Sequence, residues 1–162
     1  MNDEVHTCYF FGHRTINETE KLKMRLYEII EYLIMNEKVN IFIFGSKSRF
    51  YDLCHEIVTQ IKEKYPHIKR IYVRAEYPNI NDSYEAYLLK AYENTYYPER
   101  IIGSGRAVYV QRNYEMINKS GFCIIYYDKE KTPVKRRSGT EIALAYALKQ
   151  GKRIINVADI YI

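Results

Sequence analysis

Short apolar runs alternate with amphipathic stretches along the 162-residue chain. Residues 5–11, 39–44 and 121–127 form nearly continuous apolar runs, which is typical of strands buried on both faces of a sheet. Residues 17–34 instead carry leucine and isoleucine at three- and four-residue steps, which predicts a helix with one apolar face. The pattern therefore predicts strands and helices in alternation.

The same periodicities predict the other elements. Further strands are predicted at residues 68–73, 99–102 and 153–157. Helices are predicted to start near Asn17, Phe50, Tyr84, Ser104 and Ser138. In the helix over residues 104–118, the predicted inward face consists of Ala107, Val110, Tyr114 and Ile117.

This order of elements predicts an α/β fold. Strands that alternate with helices favour a mostly parallel sheet with helices on both faces, and right-handed crossovers then give a Rossmann-like topology. At 162 residues, the chain is expected to form a single domain over residues 1–162. Ligands of such sheets bind beyond the carboxyl ends of the strands, which directs attention to the strand-to-helix loops.

Composition narrows the class of protein. The net charge of +5 favours a phosphate-bearing partner but is too small to indicate nucleic-acid binding by itself. No apolar run approaches the ~20 residues of a membrane span, and the acidic start of the chain does not resemble a secretion signal. Cys8, Cys54 and Cys123 are widely spaced, which indicates free buried thiols in the cytoplasm and no metal site.

Three predicted loops at the carboxyl edge combine glycine, hydroxyl groups and cations, which suits an anion. Their candidate ligand residues are Gly12, His13 and Arg14 in the first loop, Gly45, Ser46 and Lys47 in the second, and Arg136, Arg137, Ser138, Gly139 and Thr140 in the third. Each loop also has a plain structural interpretation, in which the glycines form turns, the hydroxyls cap helices and the cations face solvent.

Three other residues carry candidate chemistry, and His13 has a second possible role. Arg112 and Asn113 add a cation and an amide, or belong to an exposed polar helix face. His13 is a possible proton carrier at neutral pH, or a residue that holds its loop. Glu141 is the carboxylate in these loops, so it is the candidate catalytic base or nucleophile, or else it only complements the helix dipole.

Several of these segments resemble the SLOG superfamily, which unites DprA/Smf proteins, Lonely Guy enzymes and YspA/YpsA-like proteins. The matching segments are residues 8–14, residues 111–117, Ser138-Gly139-Thr140 and the small residues of the last helix up to Gly151-Lys152. The YspA/YpsA-like branch is the most similar. The resemblance implies a Rossmann-like fold that binds nucleotide-derived or nucleic-acid ligands through Gly12–Arg14, Arg112, Asn113 and residues 138–140.

The chain departs from the Lonely Guy motif Pro-Gly-Gly-x-Gly-Thr-x-x-Glu, because Arg136-Arg137-Ser138 precedes Gly139 and Ala143 stands at the glutamate position. We therefore expect a module that binds or senses a nucleotide or a nucleotide-derived phosphorylated ligand, with no cofactor. An enzyme acting at an N-glycosidic bond, similar to nucleoside deoxyribosyltransferases, is the alternative, and DprA-like nucleic-acid binding is the third. The tyrosines between residues 72 and 97 suit base stacking or a homo-oligomer interface, or else they reflect core packing and compositional bias.

Overall fold

The computed structural model describes residues 3–45, 48–101, 103, 105–129 and 138–158. After a 3-10 turn at Asp3–His6, strands and helices alternate. The strands are β1 (Thr7–Gly12), β2 (Ile41–Phe44), β3 (Lys69–Val73), β4 (Asn94–Tyr96), β5 (Phe122–Tyr126) and β6 (Arg153–Asn156). The helices are α1 (Glu20–Asn36), α2 (Arg49–Lys62), α3 (Asp82–Leu88), α4 (Ala107–Asn118) and α5 (Gly139–Lys149).

The six strands form one sheet in the order β4-β3-β2-β1-β5-β6, and every pair of neighbours is parallel. This confirms the predicted Rossmann-like α/β fold. Strand β1 lies at the centre, with β2 on one side and β5 on the other, so the order of the strands reverses beside β1. Such a reversal opens a crevice at the carboxyl ends of the strands, where ligands of these folds bind.

Two glycines show that helices cover both faces of the sheet. A Cβ atom at Gly12 would lie 2.8 Å from the ring of Phe50 on α2, whereas one at Gly45 would lie 2.8 Å from the sulfur of Met116 on α4. Side chains alternate between the faces of a strand, and the register places these two glycines on opposite faces. The core therefore has two layers, one under α1 and α2 and the other under α4 and α5.

Two predicted elements differ from the structure. Helix α1 starts at Glu20, because the hydroxyl of Thr19 accepts a hydrogen bond from the amide of Leu22 and caps the helix there. The strand predicted at residues 99–102 is wrong for residues 99–101, the part of it that the structure describes. The edge strand is β4, which pairs with β3, while Ile101 packs against Ala75 and Val108.

The predicted inward face of α4 is only partly right, since Ile117 is buried but Ala107, Val110 and Tyr114 are not. The buried residues of α4 are Val108, Arg112, Met116 and Ile117. The sequence pattern predicts that only apolar residues of α4 face the sheet. In the structure, the charged side chain of Arg112 is buried there as well. The interpretation of Arg112 as part of an exposed polar face is therefore wrong as well.

The three cysteines are free and buried, as predicted. In the part of the chain that the structure describes, no helix is long and apolar enough to cross a membrane. No group of three or more metal-ligating side chains occurs among those residues either.

The tight contact at Gly12 yields a stability prediction. We expect Gly12→Ala to lower the free energy of unfolding by about 1–3 kcal/mol, because the new methyl group would lie 2.9 Å from the carbonyl oxygen of Tyr126. Gly139→Ala is the matched control, since no atom lies within 4 Å of its Cβ position. That substitution should be neutral or stabilising by up to about 1 kcal/mol. Urea denaturation measures the free energy of unfolding of both variants, and equal values for the two would contradict the prediction.

Candidate functional site

The carboxyl edge of the sheet brings together the ends of β1, β2 and β3 with the middle of α4. Gly12 ends β1, His13 follows it, and Gly45 follows β2. Arg112 reaches this edge from α4 and lies next to Gly45. Described residues of the first two predicted loops therefore lie at the same edge, with Arg112 beside the second.

Arg112 is the central cation of this edge. Its side chain is only 4% exposed, and its Nε atom would lie 3.0 Å from a Cβ atom at Gly45. Glycine at position 45 thus makes room for the arginine and for Met116. The Nε atom of Arg112 is buried and has no hydrogen-bond partner among the residues that the structure describes. Burying this N–H group without a partner is costly, since the guanidinium cannot lose its proton to become neutral.

Aromatic side chains surround this guanidinium. The ring of Tyr109 lies 5.5 Å from Cζ of Arg112, which allows a cation–π contact. Burial raises the pKa of Tyr9 to about 12, although the charge of Arg112 acts in the opposite direction. Burial likewise raises the pKa of Tyr51 well above its usual range, and Arg112 again opposes this shift. Both phenols are therefore neutral hydroxyl groups near a buried positive charge.

A chain of hydrogen bonds fixes these hydroxyls. The hydroxyl of Tyr51 donates to that of Tyr9 at 2.7 Å, and the hydroxyl of Tyr9 donates to Oδ1 of Asn113 at 2.7 Å. The chain connects α2, β1 and α4. Asn113, which was a predicted ligand residue, therefore uses its carbonyl oxygen to hold Tyr9, and it positions the helix that carries Arg112.

A second buried arginine was missed by the sequence reasoning. Arg74 directly follows β3, and its amide extends the strand pairing by donating to the carbonyl of Tyr96 at 2.9 Å. Its side chain is 9% exposed, and its Nε atom is buried without a partner among the described residues. A cation directly after an apolar strand was the available signal. The candidate loops were chosen because they contain glycine, and the segment that starts at Arg74 has none.

Tyr72 links the two arginines electrostatically. Burial raises the pKa of this tyrosine, and the nearby Tyr84 raises it further, whereas the charges of Arg112 and Arg74 both lower it. Phe44 pairs with Tyr72 in the sheet, so Gly45 and Arg74 lie just beyond neighbouring strand ends. The two cations therefore belong to one edge of the sheet and to one electrostatic environment.

The first predicted loop holds the backbone in place. Nε2 of His13 accepts a hydrogen bond from the amide of Asp128 at 2.9 Å, and its ring lies against Tyr126 and Tyr127. These contacts fit the interpretation of His13 as a residue that holds a loop, here the segment after β5. Arg14 is exposed at the same edge.

The start of α5 forms a reciprocal cap. The hydroxyl of Ser138 accepts from the amide of Glu141, and the Glu141 carboxylate accepts from the amide of Ser138, both at 3.1 Å. Thr140 is buried, while Gly139 begins the helix. Glu141 therefore has a structural role in this capping box. Ser46, Lys47, Arg136 and Arg137 lie outside the described residues.

No protein-family model matches the chain, and no curated protein matches it. A solved structure of DNA processing protein A (DprA) from Helicobacter pylori, reported for its unique single-stranded DNA binding mode, has a similar fold. The TM-score is 0.57 at 16% sequence identity, with 94% of this chain covered. The chain spans 65% of the length of that DprA chain. The likeness confirms the Rossmann-like fold. Membership of the SLOG superfamily and of its YspA/YpsA-like branch stays a prediction.

The unpaired charge of Arg112 yields a second prediction. We expect Arg112→Met to raise the free energy of unfolding by about 1–4 kcal/mol, because an apolar side chain of similar length removes the cost of burying the charge. Arg153→Met is the control, since this arginine is 62% exposed at the opposite edge of the sheet. That change should alter stability by less than about 1 kcal/mol. Thermal and urea denaturation measure both, and a destabilised Arg112→Met protein would contradict the prediction.

Proposed function

We propose that this protein binds a nucleotide or a nucleotide-derived phosphorylated ligand at the carboxyl edge of its sheet and acts as a binding or sensing module. The observation that carries the proposal is the guanidinium of Arg112, which is buried beside Gly45 with an unpartnered Nε atom. An anion at this edge supplies the missing partner. Guanidinium groups recognise phosphate through paired, charge-assisted hydrogen bonds.

The aromatic surroundings favour a nucleotide over a bare anion. The ring of Tyr109 is 39% exposed and lies beside the guanidinium of Arg112. A base can stack on such a ring, since every base presents a π-face, and the adjacent cation then contacts the phosphate. A phosphate site next to an aromatic ring therefore matches the two chemical parts of a nucleotide.

Single-stranded DNA is the second candidate ligand. It is favoured by the similar fold of the DprA chain, which was reported for single-stranded DNA binding, and by the net charge of +5. A DNA strand presents the same phosphate and base chemistry as a free nucleotide. The two candidates differ in salt dependence, because a strand releases counterions from several phosphates when it binds.

An N-glycosidic-bond enzyme is not what this geometry favours. The candidate catalytic carboxylate, Glu141, accepts the amide of Ser138 in the cap of α5. Arg112, by contrast, belongs to α4 and lies next to Gly45 at the end of β2. We therefore propose binding as the function and assign Glu141 to the helix cap.

Binding measurements with matched variants test the proposal. We expect Arg112→Gln to weaken binding about tenfold to a hundredfold, since hydrogen bonds to charged groups contribute about 1.5–3 kcal/mol. The probes are nucleoside 5′-monophosphates in a thermal-shift assay and a labelled single-stranded oligonucleotide in fluorescence anisotropy. Arg153→Gln removes the same charge at the opposite edge and should keep the wild-type affinity.

The outcomes separate the candidates. Stabilisation by mononucleotides with little dependence on salt supports the first ligand class. Binding of the oligonucleotide alone, with an affinity that falls steeply as salt rises, supports single-stranded DNA. An Arg112→Gln protein that binds either probe as tightly as the wild type does would overturn the proposed site.

A further inference from the structure

Two buried guanidinium groups flank the ends of neighbouring strands. Arg112 lies on the α4 face of the sheet, beside Gly45 at the end of β2. Arg74 follows β3, and alternation along the strand places it on the face of Tyr72, which is the opposite one. The ends of β2 and β3 thus lie between two cations that approach from the two helical layers.

The two positive charges are not balanced within the described structure. No ion pair of Arg74 or Arg112 occurs among the residues that the structure describes, and both Nε atoms lack hydrogen-bond partners there. Both side chains are at least nine-tenths buried. A guanidinium cannot lose its proton to become neutral, so a bound anion would compensate this positive charge. Two cations are best matched by an anion that carries two charges.

The charge on a phosphate depends on how it is esterified. A phosphodiester within a nucleic-acid strand carries one negative charge, whereas a phosphomonoester has a second pKa of about 6 and carries nearly two at neutral pH. A phosphodiester also continues on both sides of the phosphorus atom. Since both arginines are at least nine-tenths buried, a phosphate that contacts both fits better as the end of a molecule than as a link in a chain.

We propose, resting on the proposed nucleotide-binding function, that Arg74 and Arg112 together select a terminal phosphate monoester as the anionic group of the ligand. Arg112 is the anchoring cation for any phosphate at this edge. Arg74 supplies the second positive charge, so it is a specificity-determining residue that discriminates the monoester dianion from a singly charged diester.

Matched ligands test this selection directly. The probes are nucleoside 5′-monophosphates and the same nucleotides with a methyl ester on the phosphate, which removes one charge and leaves the base and sugar unchanged. We expect the wild-type protein to bind each monoester about tenfold or more tightly than its methyl ester, as judged by isothermal titration calorimetry. In Arg74→Gln this preference should shrink to about threefold or less.

Dependence on pH gives a second readout that a merely structural role of Arg74 would not change. With a phosphate pKa of about 6, the dianion fraction rises about tenfold between about pH 5 and about pH 7.5. We therefore expect the affinity of the wild type for a monoester to rise about tenfold over that range, while its affinity for the methyl ester stays constant. Arg74→Gln should lose most of this rise, whereas Arg74→Lys, which keeps a cation, should retain part of it.

The controls separate the two proposals. Arg153→Gln should keep the full preference for the monoester, and thermal denaturation without ligand shows whether each variant is folded. If the wild type binds both members of a pair equally, the proposed selection is wrong while the nucleotide site stands. If it binds neither probe, both the nucleotide-binding function and the proposed selection of a phosphate monoester are wrong. A preference that survives unchanged in a folded Arg74→Gln protein overturns the role of Arg74.

Discussion

The packing of α4 against the sheet places a positive charge where an apolar side chain would be expected. Arg112 occupies the space that the missing side chain of Gly45 leaves, with Met116 beside it. Tyr9, Tyr51 and Asn113 hold this arrangement through hydrogen bonds between three elements. The edge of the sheet is therefore organised around a buried cation whose Nε atom has no partner among the described residues. The proposed binding role rests on this feature more directly than on any loop motif.

Such a feature is informative because folding alone does not favour it. A buried cation without a partner lowers stability, and cores retain such groups where another requirement outweighs the cost. Arg74 repeats the feature at the next strand end. Two such arginines at one edge support the proposed site more strongly than a single poorly packed residue would.

The fold was largely predictable from the sequence, whereas the site was predictable only in part. Continuous apolar runs reveal strands such as β1 and β5 because both faces of these strands are buried. The short strand β4 has no such run, since its position depends on pairing with β3. Arg112 was named as a ligand residue, but periodicity placed it on the wrong face of α4, because a pattern of apolar residues cannot identify a charge that tertiary contacts bury. Arg74 escaped notice for the same reason.

The central position of β1 also has a consequence for the order of assembly. Its pairing with β2 joins segments close in sequence, whereas its pairing with β5 joins Cys8 to Phe122 and Gly12 to Tyr126. Contacts between distant segments form slowly, since a long loop must close first. Helix α4 immediately precedes β5 and reaches the sheet together with it. During synthesis the amino-terminal half can thus pair its strands early, while the charged edge is completed only when the late segment docks.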